Sequence, residues 1–120
     1  MIELILPYPP SVNTYWRHVG SKVLISKEGR AYRVNVAAVV TAAALTEGLR
    51  GFGNALLEME IDLYPPDNRI RDLDNHDGKA IFDSLKQAGV YENDSQIKKR
   101  TGEMFSVVKG GKAVVRIQKR

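Results

Sequence analysis

The clearest pattern in the chain lies between residues 57 and 64. There Leu57, Met59, Ile61 and Leu63 alternate with Glu58, Glu60, Asp62 and Tyr64. A period of two sends the two sets to opposite faces, so the segment from Leu56 to Tyr64 is predicted to be a half-buried strand, ended by Pro65-Pro66-Asp67-Asn68. Ile2 to Leu6 reads as a shorter buried strand, stopped by Pro7 and Pro9-Pro10. Ser11 to Trp16 is then a loop, and Lys22 to Ile25 a further short strand behind a Gly20-Ser21 turn. From Lys27 to about Glu47 the spacing becomes helical, with Ser26 as N-cap and Gly48 as stop. Ala31, Val34, Ala38, Thr41 and Leu45 recur every three or four residues, and Val36, Val39, Val40 and Ala42 to Ala44 widen the stripe, which predicts a mostly buried helix. A second helix is expected from about Asn75 to Ala88, with Ile81, Phe82, Leu85 and Ala88 as its apolar face and Gly89 closing it. Gln96 to Val108 and Ala113 to Gln118 read as a hairpin turning at Lys109-Gly110-Gly111-Lys112. The order β-(β)-α-β-α-β-β predicts an α+β fold, a small mixed α/β arrangement of one mixed sheet with two main helices, in one domain over residues 1–120.

Composition removes several function classes. With no cysteine in 120 residues there is no disulfide framework and no thiolate metal site, which fits a cytoplasmic address. The start, Met1-Ile2-Glu3-Leu4-Ile5-Leu6-Pro7, lacks the basic region of a signal peptide, and no apolar run reaches membrane-spanning length. The net charge of +4 is unevenly spread: residues 1–54 sum to +3, residues 55–95 to −6 and residues 96–120 to +7. An acidic centre between basic flanks suits a metal-dependent nuclease, whose flanks attract a polyanion while the centre holds the metal. On charge alone, a basic solvated hairpin on an ordinary domain is the plainer account.

The acidic centre is concentrated in Arg69-Ile70-Arg71-Asp72-Leu73-Asp74-Asn75, at the mouth of the second predicted helix. One aspartate there is explained by helix capping and the helix dipole. Two, with Asp67, Asp77 and Asp94 nearby in sequence, exceed what a cap requires. Gathered carboxylates repel each other unless a cation holds them together. In an extended segment Asp72 and Asp74 would point to opposite faces, so both reach one ion only if the chain turns between them. Asp94, in Tyr91-Glu92-Asn93-Asp94-Ser95, taken alone is better read as part of an Asx-turn than as a catalytic residue. Lys79 alone reads as a solvated helix lysine, and His76 as a surface residue or a metal ligand. No Ser/His/Asp or Cys/His constellation and no phosphate-binding glycine motif is present.

Several separated motifs, in order, make the chain resemble the RusA family of Holliday junction resolvases. They are Pro9-Pro10-Ser11-Val12-Asn13-Thr14-Tyr15-Trp16-Arg17, Ser26 with Ala31-Tyr32-Arg33, Arg71-Asp72-Leu73-Asp74-Asn75, Lys79-Ala80-Ile81-Phe82-Asp83-Ser84-Leu85, and Ala88-Gly89-Val90-Tyr91-Glu92-Asn93-Asp94-Ser95-Gln96-Ile97. The resemblance covers nearly the whole length. It implies a homodimeric, Mg²⁺-dependent endonuclease that cuts four-way DNA junctions by paired nicks. The family's three aspartates fall on Asp72, Asp74 and Asp94, and its essential lysine on Lys79. Two departures stand out. The family pattern sets the lysine four residues after the second aspartate; here it follows five after Asp74, so His76-Asp77-Gly78 carries one extra residue. Where the family often has two adjacent acids before Ser95-Gln96, this chain has Asn93-Asp94.

On this resemblance Asp72, Asp74 and Asp94 would bind one or two Mg²⁺, and the metal with Lys79 would stabilise the charge of the transition state. Arg69 and Arg71 are expected either to hold phosphates or only to offset the carboxylates. Lys98, Lys99, Arg100, Lys109, Lys112 and Arg116 would line the DNA arms. Tyr15 and Trp16 would stack on unpaired bases, although core packing explains Trp16 as well, and Asn13 either contacts DNA or pins its own loop. A binding module without catalysis and a metal-dependent nuclease acting on flaps or RNA are the competing classes. An acidic cluster beside DNA is a cost that a pure binder should avoid, which favours the nuclease.

Overall fold

The computed structural model describes residues 1–120. Six strands and three helices follow in the order β1 (Ile2–Leu6), α1 (Val12–Tyr15), β2 (Trp16–Val19), β3 (Lys22–Ile25), α2 (Lys27–Glu47), β4 (Leu57–Tyr64), α3 (Lys79–Gln87), β5 (Ile97–Met104) and β6 (Lys112–Lys119). Short 3-10 turns at Leu73–Asn75 and Asp94–Gln96 precede α3 and β5. The fold is thus α+β, with a four-stranded mixed sheet ordered β1-β6-β4-β5 and a small β2-β3 ribbon.

The alternation in β4 does what its period demands. Leu57, Met59, Ile61 and Leu63 are buried, and register places Met59, Ile61 and Leu63 beside Ile117, Val115 and Ala113 of β6. Leu4 and Leu6 of β1 extend this face through Val115 and Ala113. Tyr32 and Val36 of α2 and Ala80, Ile81 and Leu85 of α3 complete one hydrophobic core on it. The other face carries Glu3, Glu58, Glu60, Asp62 and Arg116 and has no helix over it.

Besides the loop expected over Ser11 to Trp16, which is instead α1 leading into β2, three sequence expectations change. First, β5 and β6 do not form a hairpin: β5 lies parallel to β4 at the sheet edge, and β6 inserts between β1 and β4, antiparallel to both. The reason is in the residues. β6 holds buried Ala113, Val114, Val115 and Ile117, which require a neighbour on each side, whereas β5 (Ile-Lys-Lys-Arg-Thr-Gly-Glu-Met) is too polar for a central place. The chain runs past the end of β4, with Phe105 N–H donating to Leu63 O and Val108 N–H to Pro65 O, before turning at Gly110 and Gly111, both at positive φ. Second, α2 begins and ends as expected but presents its other face. Ala31, Val34, Ala38, Thr41 and Leu45 are exposed, while Gly29, Tyr32, Val36 and Ala43 face the core. Alanine and valine surround this helix, so spacing left more than one stripe to choose from. Tyr32, by far the largest buried side chain, brings the most area out of water and decides the rotation; its hydroxyl donates to Pro7 O at 2.9 Å. Third, α3 starts at Lys79 and not near Asn75. Gly78 is its N-cap, and the residues before it form the 3-10 turn and a bend.

Candidate active site

The acidic loop is shaped by its own arginines. Asp67 accepts from Arg69 Nε at 3.2 Å and pairs with Arg71 Nη2 at 2.9 Å, and these partners hold its carboxyl well below the usual range. Arg71 is partly buried in the loop, donates to the carbonyls of Asp67 and Arg69, and lies over the Tyr8 ring at 5.5 Å. Both arginines therefore serve Asp67 and the loop backbone, not Asp72 or Asp74. Arg71 has little guanidinium left for a phosphate, while Arg69 is largely exposed.

Beyond them the chain turns. Asp72 is extended and Asp74 lies within the 3-10 turn, so the bend that the Asp-Leu-Asp spacing needed is present. Both side chains are exposed, and that of Asp72 makes no capping bond. These are uncommitted carboxylates next to the start of a helix. On the other side of the α3 N-terminus stands Asp94, whose Oδ2 accepts from Lys79 Nζ at 3.3 Å. Asp94 is placed by a bonded loop. Asn93 Oδ1 accepts from Ser95 N–H, and the Tyr91 hydroxyl donates to Phe82 O at 2.7 Å on α3. Buried Gln96 accepts from the backbone N–H of Glu92 and Asn93 and donates to the carbonyls of Gly53 and Ala55. Gln96 is a positioning residue that sequence reading passed over; its signal was a polar residue just before a strand, which does not distinguish a buried glutamine from a solvated one.

The late start of α3 settles the geometry of the extra residue. With the helix beginning at Lys79, His76-Asp77-Gly78 is absorbed in the bend and Lys79 faces Asp94. His76 turns to the N-terminal loop, its Nδ1 3.2 Å from Pro9 O and its ring 5.2 Å from that of Tyr8. Burial lowers its pKa, against the bond to Pro9, which raises it.

The aromatic pair divides. Tyr15 is fully buried, so no face remains for a base to stack on. Its hydroxyl donates to Asp83, which also pairs with Arg33 Nη2 at 2.6 Å, and Ser84 Oγ lies 3.3 Å away. The expectation that Tyr15 stacks on DNA is corrected on this ground: it ties α1, α2 and α3 together instead. Burial is the main reason its pKa rises. Trp16 packs edge-on against Tyr15 and is only partly buried, and Asn13 is exposed on α1.

The basic C-terminal region is not one surface. Lys98 and Lys99 are exposed on the edge strand β5 and Lys109 is exposed at the turn. Lys112 lies 4.9 Å over the Tyr64 ring. Arg116 sits on the open sheet face among acids, 2.9 Å from Glu3, 2.8 Å from Asp62 and 3.7 Å from Glu60. That face is acidic, and Lys99, beside Glu58 by register, shares it, so Arg116 and Lys99 are set apart from the other basic residues expected along the DNA.

No group of three histidine or acidic side chains is placed close enough together here to hold a metal ion by itself. A hard divalent cation such as Mg²⁺ does not require one: it keeps several waters and takes one or two carboxylates together with substrate phosphates. Asp72 and Asp74 are exposed and unpaired, and Asp94 keeps Oδ1 without a partner while Oδ2 accepts from Lys79, so all three offer carboxylate oxygens of the kind such an ion takes.

A small α+β domain that sets free carboxylates and a lysine at a helix mouth, beside a basic edge strand, belongs with the phosphodiester-cleaving enzymes. Residues 7–118 match the family described as Endodeoxyribonuclease RusA. The chain is 40% identical over 110 residues to proteins named crossover junction endodeoxyribonuclease RusA in Escherichia coli strain K12, Enterobacteria phage 82 and Shigella sonnei, spanning 92% of its own length and 88% of theirs. The chain belongs to the RusA endodeoxyribonuclease family and is a hydrolase of DNA phosphodiester bonds. No helix is long and apolar enough to cross a membrane.

Proposed function

We propose that this protein resolves four-way DNA junctions by paired symmetric nicks, in recombination and repair in the bacterial cytoplasm, with Mg²⁺ as its metal. The observation that carries this reading is the Lys79–Asp94 contact at the mouth of α3, with exposed Asp72 and Asp74 on the preceding turn. The named activity of the relatives supports the substrate.

Asp72, Asp74 and Asp94 would hold the metal. When bound, it supplies Lewis-acid stabilisation and lowers the pKa of water. The protein's own residues do the rest. Asp94 holds the Lys79 ammonium beside the carboxylates, where it meets the non-bridging oxygens as negative charge grows on them in the transition state. Gln96 and Tyr91 keep Asp94 from moving. Lys98, exposed on the edge strand, contacts the phosphates of an arm, which positions the junction without reading bases. Asn13, exposed on α1, and the partly buried Trp16 are the N-terminal residues that would contact the junction.

Two symmetric nicks require two such sites related by a two-fold axis, and a C2 homodimer supplies them. The exposed stripe of α2 is the apolar surface we assign to that interface, with Val34 67% and Leu45 82% accessible. The test of the whole reading compares a labelled four-way junction with a linear duplex of matching sequence, in Mg²⁺ and in EDTA. Symmetric cutting of the junction alone, abolished by EDTA, is expected. Equal cutting of the duplex would make this a nuclease of other specificity.

A further inference from the structure

β5 breaks the rule that sheet residues on the core side are apolar. Register puts Arg100 beside Met59 and Gly102 beside Ile61, so both lie on the helix-covered face. What meets them there is Asp77, only 4% exposed. Its Oδ2 lies 3.7 Å from Arg100 Nε, and its Oδ1 is buried with no hydrogen-bond partner. The carboxylate packs where a Cβ on Gly102 would stand, so β5 has to carry glycine at this point. The guanidinium is confined from two further sides. A Cβ on Gly78 would come within 2.7 Å of Arg100 Nη1, and the Phe82 ring lies 5.8 Å below Arg100 Cζ.

Burying a carboxylate with one of its oxygens unpartnered is expensive, and an apolar residue at the same place would fold more easily. The arrangement nevertheless delivers one thing that apolar packing cannot: a guanidinium fixed at the N-terminal end of α3, one residue from Lys79. An arginine on an exposed edge strand would otherwise sample many rotamers and be drawn toward any of the acids around it. Arg100 is still 41% exposed, so its outer edge remains free for a phosphate.

We propose that Asp77 is a positioning residue that sets Arg100 against the phosphate next to the one being cut, so that Arg100 and Lys79 grip adjacent phosphates of the same strand. The proposal rests on the junction-cleaving reading above. It places a task in the same three-residue segment that holds the extra residue before Lys79.

The test uses the full-length protein, a labelled four-way junction, single-turnover cleavage in Mg²⁺, and junction binding in Ca²⁺ across a salt series. Arg100→Ala is expected to slow cleavage about tenfold and to reduce the salt slope of binding by about one. Asp77→Asn, which keeps the shape and the arginine, is expected to slow cleavage by about threefold or more, and Asp77→Asn with Arg100→Ala to be no slower than Arg100→Ala alone. A role confined to packing would instead lower the midpoint of urea unfolding in Asp77→Asn and leave rate and slope as in the wild type; that result overturns the proposal. Should Asp77→Asn fail to fold, Arg100→Lys decides. A lysine keeps the charge but not the confined fork, so it is expected to share the deficit of Arg100→Ala, and wild-type cleavage by it would overturn the proposal. Failure of the wild type to cut the junction would sink the functional reading instead, and the salt slopes of the Asp77 and Arg100 variants would still decide whether the two residues act on phosphate together.

Discussion

The ammonium of Lys79 lies 3.3 Å from Oδ2 of Asp94, across the gap between the first residue of α3 and the 3-10 turn before β5. Fifteen residues separate the two in sequence, and neither is remarkable alone. On a continuous helix from Asp74, a lysine five residues on would be rotated about 140° from the second aspartate, against about 40° for four. The break before Gly78 removes that constraint. Lys79→Ala is therefore expected to slow single-turnover cleavage at least about tenfold, while His76→Ala, whose ring is docked on Pro9, changes it little. The reverse order would mean that the histidine carries the cationic role.

Asp72, Asp74 and Asp94 are expected to be required for cutting but not for binding. Each Asp→Asn change removes a metal donor and also a negative charge that faces phosphate. Cleavage should be lost and junction affinity in a gel-shift assay kept or increased. A normal rate for Asp74→Asn in Mg²⁺ would remove it from the ligand set.

Salt dependence separates the basic residues. Each phosphate contact contributes about −0.9 to the log–log slope of affinity against salt. Changing Lys98 and Arg100 together to Ala should flatten that slope by up to two contacts. Arg116→Ala should leave it as it was, because Arg116 is occupied by Glu3 and Asp62 on the acidic face. An Arg116 effect as large as that of the double change would put the DNA on the open side of the sheet.

The α2 stripe predicts assembly. Val34→Glu with Leu45→Glu places two charges in the proposed interface without touching the core. By light scattering the variant should be a monomer, and its nicks should appear singly and not in symmetric pairs. A variant that stays dimeric would move the interface to another surface.

Stability should depend on the Arg33–Asp83–Tyr15 network, which joins all three helices. Arg33→Met keeps the side-chain volume but leaves the Asp83 carboxylate buried without its cation. A loss of about 3 kcal/mol in urea unfolding is expected, in the range found when one partner of a buried pair is removed. A loss below about 0.5 kcal/mol would class the pair with exposed bridges of little consequence.

Much of this protein can be read from its residues in order. The strict alternation of β4 specified its buried face, because a period of two leaves no choice of side. Ser26 and Gly48 bounded α2, because their preferences for the two ends of a helix are local. Asp72 and Asp74 stood out as a close acidic pair, whereas Asp94 and Lys79 were singled out only by the resemblance to the RusA family. What needed the tertiary structure is what depends on competition between distant segments. Which stripe of α2 is buried followed from where Tyr32 finds space. Whether β6 pairs with β5 or enters the sheet between β1 and β4 followed from which strand has enough apolar area to be central. Tyr15 was legible as an aromatic next to a tryptophan, but only the approach of Asp83 and Ser84 shows it to be internal. Asp77 and Arg100 are 23 positions apart and polar, and no local pattern links them; the parallel pairing of β5 with β4 brings them together, because it turns an arginine and a glycine toward the bend that precedes α3.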